Sequence, residues 1–240
     1  MVDFHIETGA AMTVATTMVP VQKAQPFGVI ETDHLGRVTG FEEKPDCPQS
    51  MPDDPTMALT SMGIYVFNTD ILIQACCDDA ERISTHDFGR DIIPKLIENL
   101  PVYAYRFVAE NRKEAEYWRD VGTIQSYWEA NMDLVAVDPL FNLYDRDWPL
   151  RTRMPMAPPA KFVFADEGSR FGAAVDSIIS PGCIVSGGLV RRSVLSPEVR
   201  INSYSTVEDS VLMDGVQIGR HAQIRKAIIE KHVTIPEGTV

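Results

Sequence analysis

The segment from Gly40 to Asp46, GFEEKPD, places two carboxylates beside one ammonium group just before a proline. A lysine ammonium is a compact charge on a long stem that suits a phosphate, and a neighbouring carboxylate accepts hydrogen bonds from sugar hydroxyls. Glu43 and Lys44 are therefore a candidate site for a sugar phosphate. An exposed charged turn closed by Pro45 explains the same residues, so this segment alone leaves both interpretations open.

A second candidate is Asp120 in EYWRDVGT, from Glu116 to Thr123, where an aspartate follows two aromatic residues and precedes a glycine. An aspartate just before a helix can cap that helix. It can equally bind Mg2+, a hard cation that takes one or two carboxylates and completes its shell with water and phosphate oxygens. Both roles remain open on the sequence.

The third candidate is THDFGRD, which contains His86 and Asp87. Asp87 has the position of an N-cap for the helix predicted after it, and a histidine such as His86 is more often a surface or core residue than a base. The sequence contains no nucleophilic triad and no zinc-ligand spacing. It also contains no glycine-rich phosphate loop, since Gly187 and Gly188 lie inside the repeats described below.

A β-hairpin is predicted to position Lys44. Residues Phe27 to Glu31 have the pattern of an apolar strand, and a polar turn carrying Gly36 follows. The chain then returns through Val38 and Phe41. Lys44 is expected where this return strand ends.

Up to Asp138 the pattern alternates strands and helices, which indicates an α/β domain. Apolar runs predict buried strands, and apolar residues at helical spacing predict helices. The predicted strands include MTVATTMVPV, LTSMGIYVF and VYAYRFV, and the predicted helices are NTDILIQACCDDAERI, DFGRDIIPKLIENL and TIQSYWEANMDLVAV. Thr69 or Asp70 is the expected N-cap of the first helix.

The chain is expected to divide into three parts. Residues 1–138 form the α/β domain. Residues 139–160 contain clustered prolines, which suit an extended linker and exclude a regular helix. Residues 161–240 show short apolar beats separated by polar residues, glycine and serine.

The last part is an internal repeat. Apolar residues recur every 17 positions, as at Leu195, Leu212 and Ile229, and each unit divides into three short segments. The coil before these, from Ile179, is one residue shorter. This pattern predicts a left-handed parallel β-helix of hexapeptide repeats, in which each coil stacks its apolar residues on the next.

Charge and composition exclude several classes of partner. The 240 residues are 45% hydrophobic with a formal net charge of -12, so nucleic acid or an anionic membrane would repel the chain at long range. No apolar run approaches the roughly 18 to 20 residues that cross a bilayer. Four cysteines without paired C-x-x-C spacing indicate a reducing, cytoplasmic setting.

Eight ordered motifs connect this chain to a known family. They are FGVIE, FEEKP, SMPDDP, SMGIYVF, HDFGRDIIP, YWRDVGT, YDRDWPLRT and PPAKFV. In this order, and followed by hexapeptide coils, they closely resemble the glucose-1-phosphate adenylyltransferase (ADP-glucose pyrophosphorylase) family over essentially the whole chain. The resemblance implies the C-terminal half of a Rossmann-like, mixed α/β nucleotidyltransferase domain, followed by a left-handed parallel β-helix.

The resemblance also implies the chemistry. The family makes ADP-glucose and pyrophosphate from ATP and α-D-glucose 1-phosphate in glycogen or starch synthesis, and the full-length enzymes are homotetramers. The residues implied to bind glucose 1-phosphate are Gly28, Glu43, Lys44, Ser61, Asp87 and Trp118. Asp120 resembles one of two aspartates that bind Mg2+, and Lys44 and Asp120 are the implied catalytic residues. Lys44 positions the sugar phosphate for in-line attack on the α-phosphorus of ATP.

The chain departs from the family pattern in three places. The N-terminal glycine-rich nucleotide loop and the first metal-binding aspartate have no counterpart and are expected before Met1. The C-terminal tail that helps to form the activator site is also absent, and Lys231 stands where enterobacterial-type enzymes usually have an arginine. We therefore predict that this polypeptide alone has no pyrophosphorylase activity. Pyrophosphate release from ATP and glucose 1-phosphate by the purified chain would contradict this prediction.

Three alternatives remain open. The first is a pyrophosphorylase for another nucleotide sugar, although SMPDDP and YDRDWPLRT favour the ADP-glucose branch. The second is a hexapeptide acyltransferase, which needs a catalytic histidine in a coil, whereas His221 and His232 are isolated. The third is a non-catalytic regulatory subunit of the same family, against which the presence of Lys44 and Asp120 counts.

Overall fold

The computed structural model of the chain contains two compact units, Met1–Trp118 and Arg119–Val240. The residues it describes are 1–107, 117–146, 149–152, 155–165 and 170–240. The domain limits expected from composition, at residues 138 and 160, remain predictions.

The first unit is a mixed sheet with helices. In chain order it contains α1 (Val2–Thr8), β1 (Met12–Pro20), a 3-10 turn (Val21–Lys23), β2 (Gly28–Thr32), β3 (Val38–Glu43), β4 (Met57–Phe67), α2 (Thr69–Ala80), a π-helical turn (Phe88–Ile92), α3 (Ile93–Asn99) and β5 (Val102–Arg106). The strand order is β3-β2-β4-β1-β5, with β1 and β5 parallel and the other pairs antiparallel. This arrangement confirms the mixed α/β class.

Strand β1 lies inside this sheet, between β4 and β5. Its β-branched and apolar residues suit a strand that is covered on both faces, and its first six residues are buried, as MTVATTMVPV predicts. Met12 and Val14 pack in one core with Ile93 of α3. Ile30 of β2 and Val38 of β3 belong to the same core, so the hairpin is fastened to the sheet on its apolar side.

The N-cap of α2 differs from the expected one. Asn68 occupies the N-cap position instead of Thr69 or Asp70. Its side chain makes no capping bond: Oδ1 lies 3.3 Å from His5 Nε2, and Nδ2 donates to the backbone oxygen of Ala10 at 3.1 Å. Asn68 therefore ties the start of α2 to the chain just before β1, a use of asparagine that no local sequence signal indicates.

Helix α4 (Ile124–Leu134) opens the second unit and confirms the helix predicted for TIQSYWEANMDLVAV. Its N-cap is Thr123, whose Oγ1 accepts a hydrogen bond from the backbone N–H of Ser126 at 3.0 Å. Asp120 is therefore not the cap that its position suggested. The indole Nε1 of Trp128 donates to the backbone oxygen of Asp209 at 2.7 Å and attaches α4 to the repeats.

The repeats form a parallel β-solenoid with about four turns. Its strands are β6 (Lys161–Val163), β7 (Ala173–Val175), β8 (Ile178–Ile179), β9 (Ile184–Ser186), β10 (Leu189–Arg191), β11 (Val194–Leu195), β12 (Arg200–Ile201), β13 (Thr206–Glu208), β14 (Val211–Leu212), β15 (Gln217–Ile218), β16 (Gln223–Arg225), β17 (Ile228–Ile229) and β18 (Thr234–Ile235). Among the described residues they form parallel sheets ordered β16-β13-β10-β7, β17-β14-β11-β8 and β18-β15-β12-β9-β6. The solenoid predicted from the repeat is confirmed.

The register of the solenoid follows the sequence period. Leu195 pairs with Leu212, and Leu212 pairs with Ile229 in the next coil. Ile179 pairs with Leu195, which is the shorter spacing expected for the first coil. These apolar residues point inward and build one continuous core, in which Leu195 and Leu212 have no exposed surface.

A ladder of serines closes one corner of the solenoid. Ser193 Oγ accepts from Ser210 N, and Ser210 Oγ accepts from Ala227 N, each at 3.1 Å and 17 residues apart. Each hydroxyl also donates to a backbone oxygen two residues earlier, as Ser210 does to Glu208 at 2.7 Å. The ladder satisfies backbone groups in a corner where regular strand pairing stops.

Removing the buried rung should therefore cost stability. In Ser210→Ala the N–H of Ala227 loses its acceptor, and we expect a loss of about 1 to 3 kcal/mol in the free energy of unfolding. Urea denaturation followed by circular dichroism measures the change. The matched control is Ser50→Ala, the same substitution at an exposed serine outside the solenoid. An unchanged midpoint for Ser210→Ala would contradict the role of the ladder.

All four cysteines are free. Cys47, Cys76 and Cys77 are exposed, and Cys183 is buried in the solenoid. Burial raises the pKa of the Cys183 thiol above its usual value. Among the described residues, no helix has both the length and the apolar character needed to cross a membrane.

Candidate functional site

The hairpin places Glu43 and Lys44 as the sequence predicts. Glu43 is the last residue of β3 and pairs with Gly28, the first residue of β2. Lys44 follows with a φ of 52°, in the left-handed region, and its backbone N–H donates to Phe27 O at 3.1 Å. Its Nζ lies 3.7 Å from Glu43 Oε1, and 57% of its side chain is exposed. The ammonium group is therefore presented to solvent beside the carboxylate.

The Glu43 carboxylate lies in a slot between two glycines from different elements. A Cβ on Gly28 would stand 2.9 Å from Glu43 Oε2 and 2.5 Å from Cζ of Phe41. A Cβ on Gly89, in the π-helical turn, would stand 2.6 Å from the same Glu43 oxygen. The missing Cβ of Gly28 thus makes room for protein side chains here, and its contact with a sugar phosphate stays a prediction.

This slot supports a specific test. In Gly89→Ala the new methyl group must displace the Glu43 carboxylate, which is the end of a flexible side chain, so we expect a stability change below about 1 kcal/mol. We expect the affinity for glucose 1-phosphate to fall about five- to tenfold, the effect of one misplaced acceptor. Isothermal titration calorimetry measures it.

A double-mutant cycle supplies the control for this test. In a Glu43→Gln background the Gly89→Ala change should cost little further affinity, because the carboxylate it displaces has already lost its charge. Equal losses from Gly89→Ala in both backgrounds would show that the methyl group acts elsewhere.

Asp87 caps the turn that carries Gly89. Its side-chain oxygen accepts a hydrogen bond from Arg90 N at 2.9 Å, which confirms the predicted N-cap. The first turn is π-helical, Phe88–Ile92, and only then does the chain continue as α3 with Pro94 in its first turn. Because proline has no N–H, Pro94 donates no hydrogen bond to a carbonyl of the π-helical turn before it.

Ser61 is buried on β4 close to a bulge in the sheet. Thr16 pairs with Ser61 and Val14 with Tyr65, so β4 has extra residues between these positions, including Gly63 at a φ of 71°. The Ser61 hydroxyl accepts from Gly63 N at 3.1 Å. Bulges of this kind often re-aim side chains beside functional sites.

Tyr65 joins the site although the sequence did not single it out. Burial raises the pKa of its hydroxyl, a hydrogen bond with Ser61 opposes that shift, and the charges of Glu43 and Asp87 raise the pKa further. The phenol is therefore a neutral donor close to two carboxylates at neutral pH. Its ring also stacks on Phe88, with centroids 5.9 Å apart. Tyr65 lies four residues after Ser61 on the same strand, so strand alternation would put both side chains on one face of the sheet. The bulge between them makes that prediction unreliable.

Trp118 is brought to the same end of the hairpin. Its ring lies 5.1 Å from that of Phe27, the residue whose backbone oxygen accepts from Lys44. Within the first unit, the sequence-predicted site residues are linked to one another through Phe27, Tyr65 and Gly89. These site residues are Gly28, Glu43, Lys44, Ser61, Asp87 and Trp118.

Asp120 belongs to the second unit. Its carboxylate is exposed, and Oδ1 accepts a hydrogen bond from Gly122 N at 3.2 Å. Among the described residues, no group of three or more His, Cys, Asp or Glu side chains is arranged to hold a metal ion. One exposed carboxylate fits part of the shell of a hard cation that takes its other ligands from water and phosphate.

Comparison with known proteins gives two family matches. Residues 1–136 match a family model described as nucleotidyl transferase, and residues 158–240 match one described as GlmU-like, C-terminal hexapeptide. Enzymes of the nucleotidyl transferase family generally use a divalent metal.

Curated relatives match the whole chain. A glucose-1-phosphate adenylyltransferase of Rhodopirellula baltica is 54% identical over 242 residues, covering 100% of this chain and 54% of the relative. Proteins of the same name from Koribacter versatilis and an Anaeromyxobacter species are 52% and 50% identical over 98% and 100% of this chain. The chain spans 57% and 60% of their lengths, so it covers little more than half of the relatives it matches.

Proposed function

Because this chain belongs to the nucleotidyl transferase family, we propose that it serves the synthesis of ADP-glucose and pyrophosphate from ATP and α-D-glucose 1-phosphate, in glycogen biosynthesis. The observation that carries the proposal is the Glu43 carboxylate, held between two glycines beside the exposed Lys44 ammonium. The names of relatives that are at least 50% identical support the same substrates.

Each residue of the site has a role in this proposal. The Lys44 ammonium binds the phosphate of glucose 1-phosphate and fixes the oxygen that attacks the α-phosphorus of ATP. Glu43 and Asp87 accept hydrogen bonds from sugar hydroxyls, while Ser61 and Trp118 line the sugar pocket. The new bond joins the sugar phosphate to the α-phosphorus, and pyrophosphate leaves with the electron pair of the broken bond.

Asp120 is the proposed ligand for Mg2+. When bound, Mg2+ supplies positive charge that neutralises the phosphate oxygens of the nucleotide. A cytoplasmic location and a homotetrameric complete enzyme belong to the same proposal. Free cysteines support the location, and the family resemblance supports the assembly.

Binding of the sugar phosphate tests the proposal directly. The chain is titrated with α-D-glucose 1-phosphate and, separately, with glucose, and binding is followed by calorimetry and by the backbone amide signals of Glu43 and Lys44. We expect saturable binding of the sugar phosphate only, with both amides shifting. The absence of binding at millimolar concentration would overturn the proposal.

A panel of sugar phosphates then separates glucose from other sugars. N-acetylglucosamine 1-phosphate and mannose 1-phosphate are expected to bind more weakly, because Glu43 and Asp87 are placed for one set of hydroxyls. Tighter binding of either one would favour a pyrophosphorylase for another nucleotide sugar.

A further inference from the structure

Residues 84–87 form a turn, called the turn below, that leads into the proposed pocket. A buried carboxylate outside the pocket binds this turn. Asp79, near the end of α2, is only 4% exposed. Its Oδ2 accepts from Ser84 Oγ at 2.8 Å and lies 2.8 Å from His86 Nδ1, while Lys95 Nζ is 3.5 Å from Oδ1. The hydrogen bonds from His86 and Ser84 lower the pKa of Asp79, so the group is charged at neutral pH.

A second carboxylate, that of Asp91, also accepts hydrogen bonds from the turn. Asp91 Oδ2 accepts from the backbone N–H groups of Thr85 and Asp87, each at 3.1 Å, and from the Thr85 hydroxyl. Asp79 thus binds Ser84 and His86, while Asp91 binds the residues next to them, Thr85 and Asp87. His86, between them, has a φ of 57°, a conformation that most L residues avoid unless their surroundings impose it.

The turn ends in residues of the proposed pocket. Asp87 follows His86 directly and caps the π-helical turn through Arg90 N. Gly89, two residues later, is buried against the Glu43 carboxylate. A displacement of the turn would therefore move both the Asp87 oxygens and one wall of the slot around Glu43.

We infer that Asp79 is a positioning residue for the sugar-phosphate site, acting through Ser84 and His86 to set Asp87 and Gly89 against Glu43. The inference rests on the proposed function for the identity of the ligand. The side-chain partners of Asp79 are Ser84 and His86 in the turn and Lys95 of α3. Because Asp87 and Gly89 follow the turn, we expect Asp79 to act on the sugar end of the ligand. The phosphate end, at Lys44, lies on the hairpin, where the Lys44 backbone N–H donates to Phe27 O. We therefore expect the turn to affect the phosphate end less than the sugar end.

The closing experiment compares two neighbouring aspartates in the 240-residue chain. Asp79→Asn weakens the hold on the turn, whereas Asp78→Asn removes an exposed carboxylate that pairs with Gln74 on the same helix. We expect Asp79→Asn to bind glucose 1-phosphate about tenfold more weakly and inorganic phosphate within about twofold of wild type. Asp78→Asn should leave both affinities unchanged. Calorimetry or nuclear magnetic resonance titration measures them.

A pair of variants at His86 keeps the test decisive if Asp79→Asn unfolds. Asparagine tolerates a positive φ and has an amide that can donate to Asp79, so His86→Asn should bind within about threefold of wild type. His86→Ala keeps neither advantage and should lose about tenfold. Equal affinities for the two His86 variants, or equal losses of sugar phosphate and inorganic phosphate in Asp79→Asn, would overturn the inference.

The failure of the proposed function has a different signature. If the wild-type chain binds no glucose 1-phosphate, the proposed substrate is wrong, and the position of Asp87 is then read from the amide signal of Arg90. Asp79→Asn must shift this signal and Asp78→Asn must not. An Arg90 signal that is the same in Asp79→Asn and wild type would overturn the inference without reference to any ligand.

Discussion

Lys44→Gly is expected to bind α-D-glucose 1-phosphate at least about tenfold more weakly than the wild-type chain, without loss of folding stability. The affinity falls because the exposed ammonium beside Glu43 is the proposed partner of the phosphate, and hydrogen bonds to charged groups are the stronger ones. Calorimetric titration measures the dissociation constant, and urea denaturation measures the stability.

The stability half of this prediction comes from the backbone. Lys44 has a φ of 52° directly before Pro45, where extended conformations are favoured. The left-handed conformation costs an L residue about 1 to 2 kcal/mol, and glycine avoids that cost. The extra freedom of glycine in the unfolded chain offsets about 0.5 to 1 kcal/mol of this, so a net gain of about 0 to 1.5 kcal/mol in the free energy of unfolding is expected.

Lys44→Ala is the matched control. It removes the same ammonium group but keeps a Cβ in the left-handed conformation, so it should lose the same affinity without the gain in stability. Unchanged binding in both variants would remove Lys44 from the phosphate site. A glycine variant less stable than the alanine variant would contradict the assignment of strain to this position.

Leu212→Ala is expected to destabilise the chain by about 2 to 5 kcal/mol, the range for buried leucines cut back to alanine. Leu212 has no exposed surface and stacks between Leu195 and Ile229 of the adjoining coils. In a solenoid each coil is stabilised mainly by its neighbours, so a cavity in an inner coil weakens the contacts on both sides. Urea denaturation followed by circular dichroism measures the loss.

The control for this prediction is the same substitution at an exposed site. Leu35 lies in the turn of the hairpin with 70% of its surface exposed, and Leu35→Ala should change stability by less than about 0.5 kcal/mol. A small effect at Leu212 would mean that the coils adjust to fill the cavity. That outcome would contradict a core whose register is set by the stacked residues.

Local patterns were sufficient for the solenoid and for most of the sheet. The spacing of Leu195, Leu212 and Ile229 predicted the coil register, because in a solenoid each residue stacks on its counterpart one repeat away. The hairpin was predictable for a related reason: its strands and its turn lie within one short segment, so strand alternation and the turn residues act on neighbours. Such signals failed for the cap of α2, where Asn68 is drawn to Ala10 by a contact distant in sequence.

The sequence by itself determined that Glu43 and Lys44 stand together at the end of a strand, since adjacency along the chain needs no folding to hold. Only the tertiary structure decided that Gly28 and Gly89 flank the Glu43 carboxylate and that the charge of Glu43 acts on Tyr65. It also decided that Asp79 holds the turn leading to Asp87. The contacts of Glu43 with Gly89 and Tyr65 join segments separated by whole strands and helices, and they follow from the strand order and from the packing of the π-helical turn on the sheet. The bonds of Asp79 span only five and seven residues, but they depend on the conformation of an irregular turn, for which the sequence carries no periodic signal.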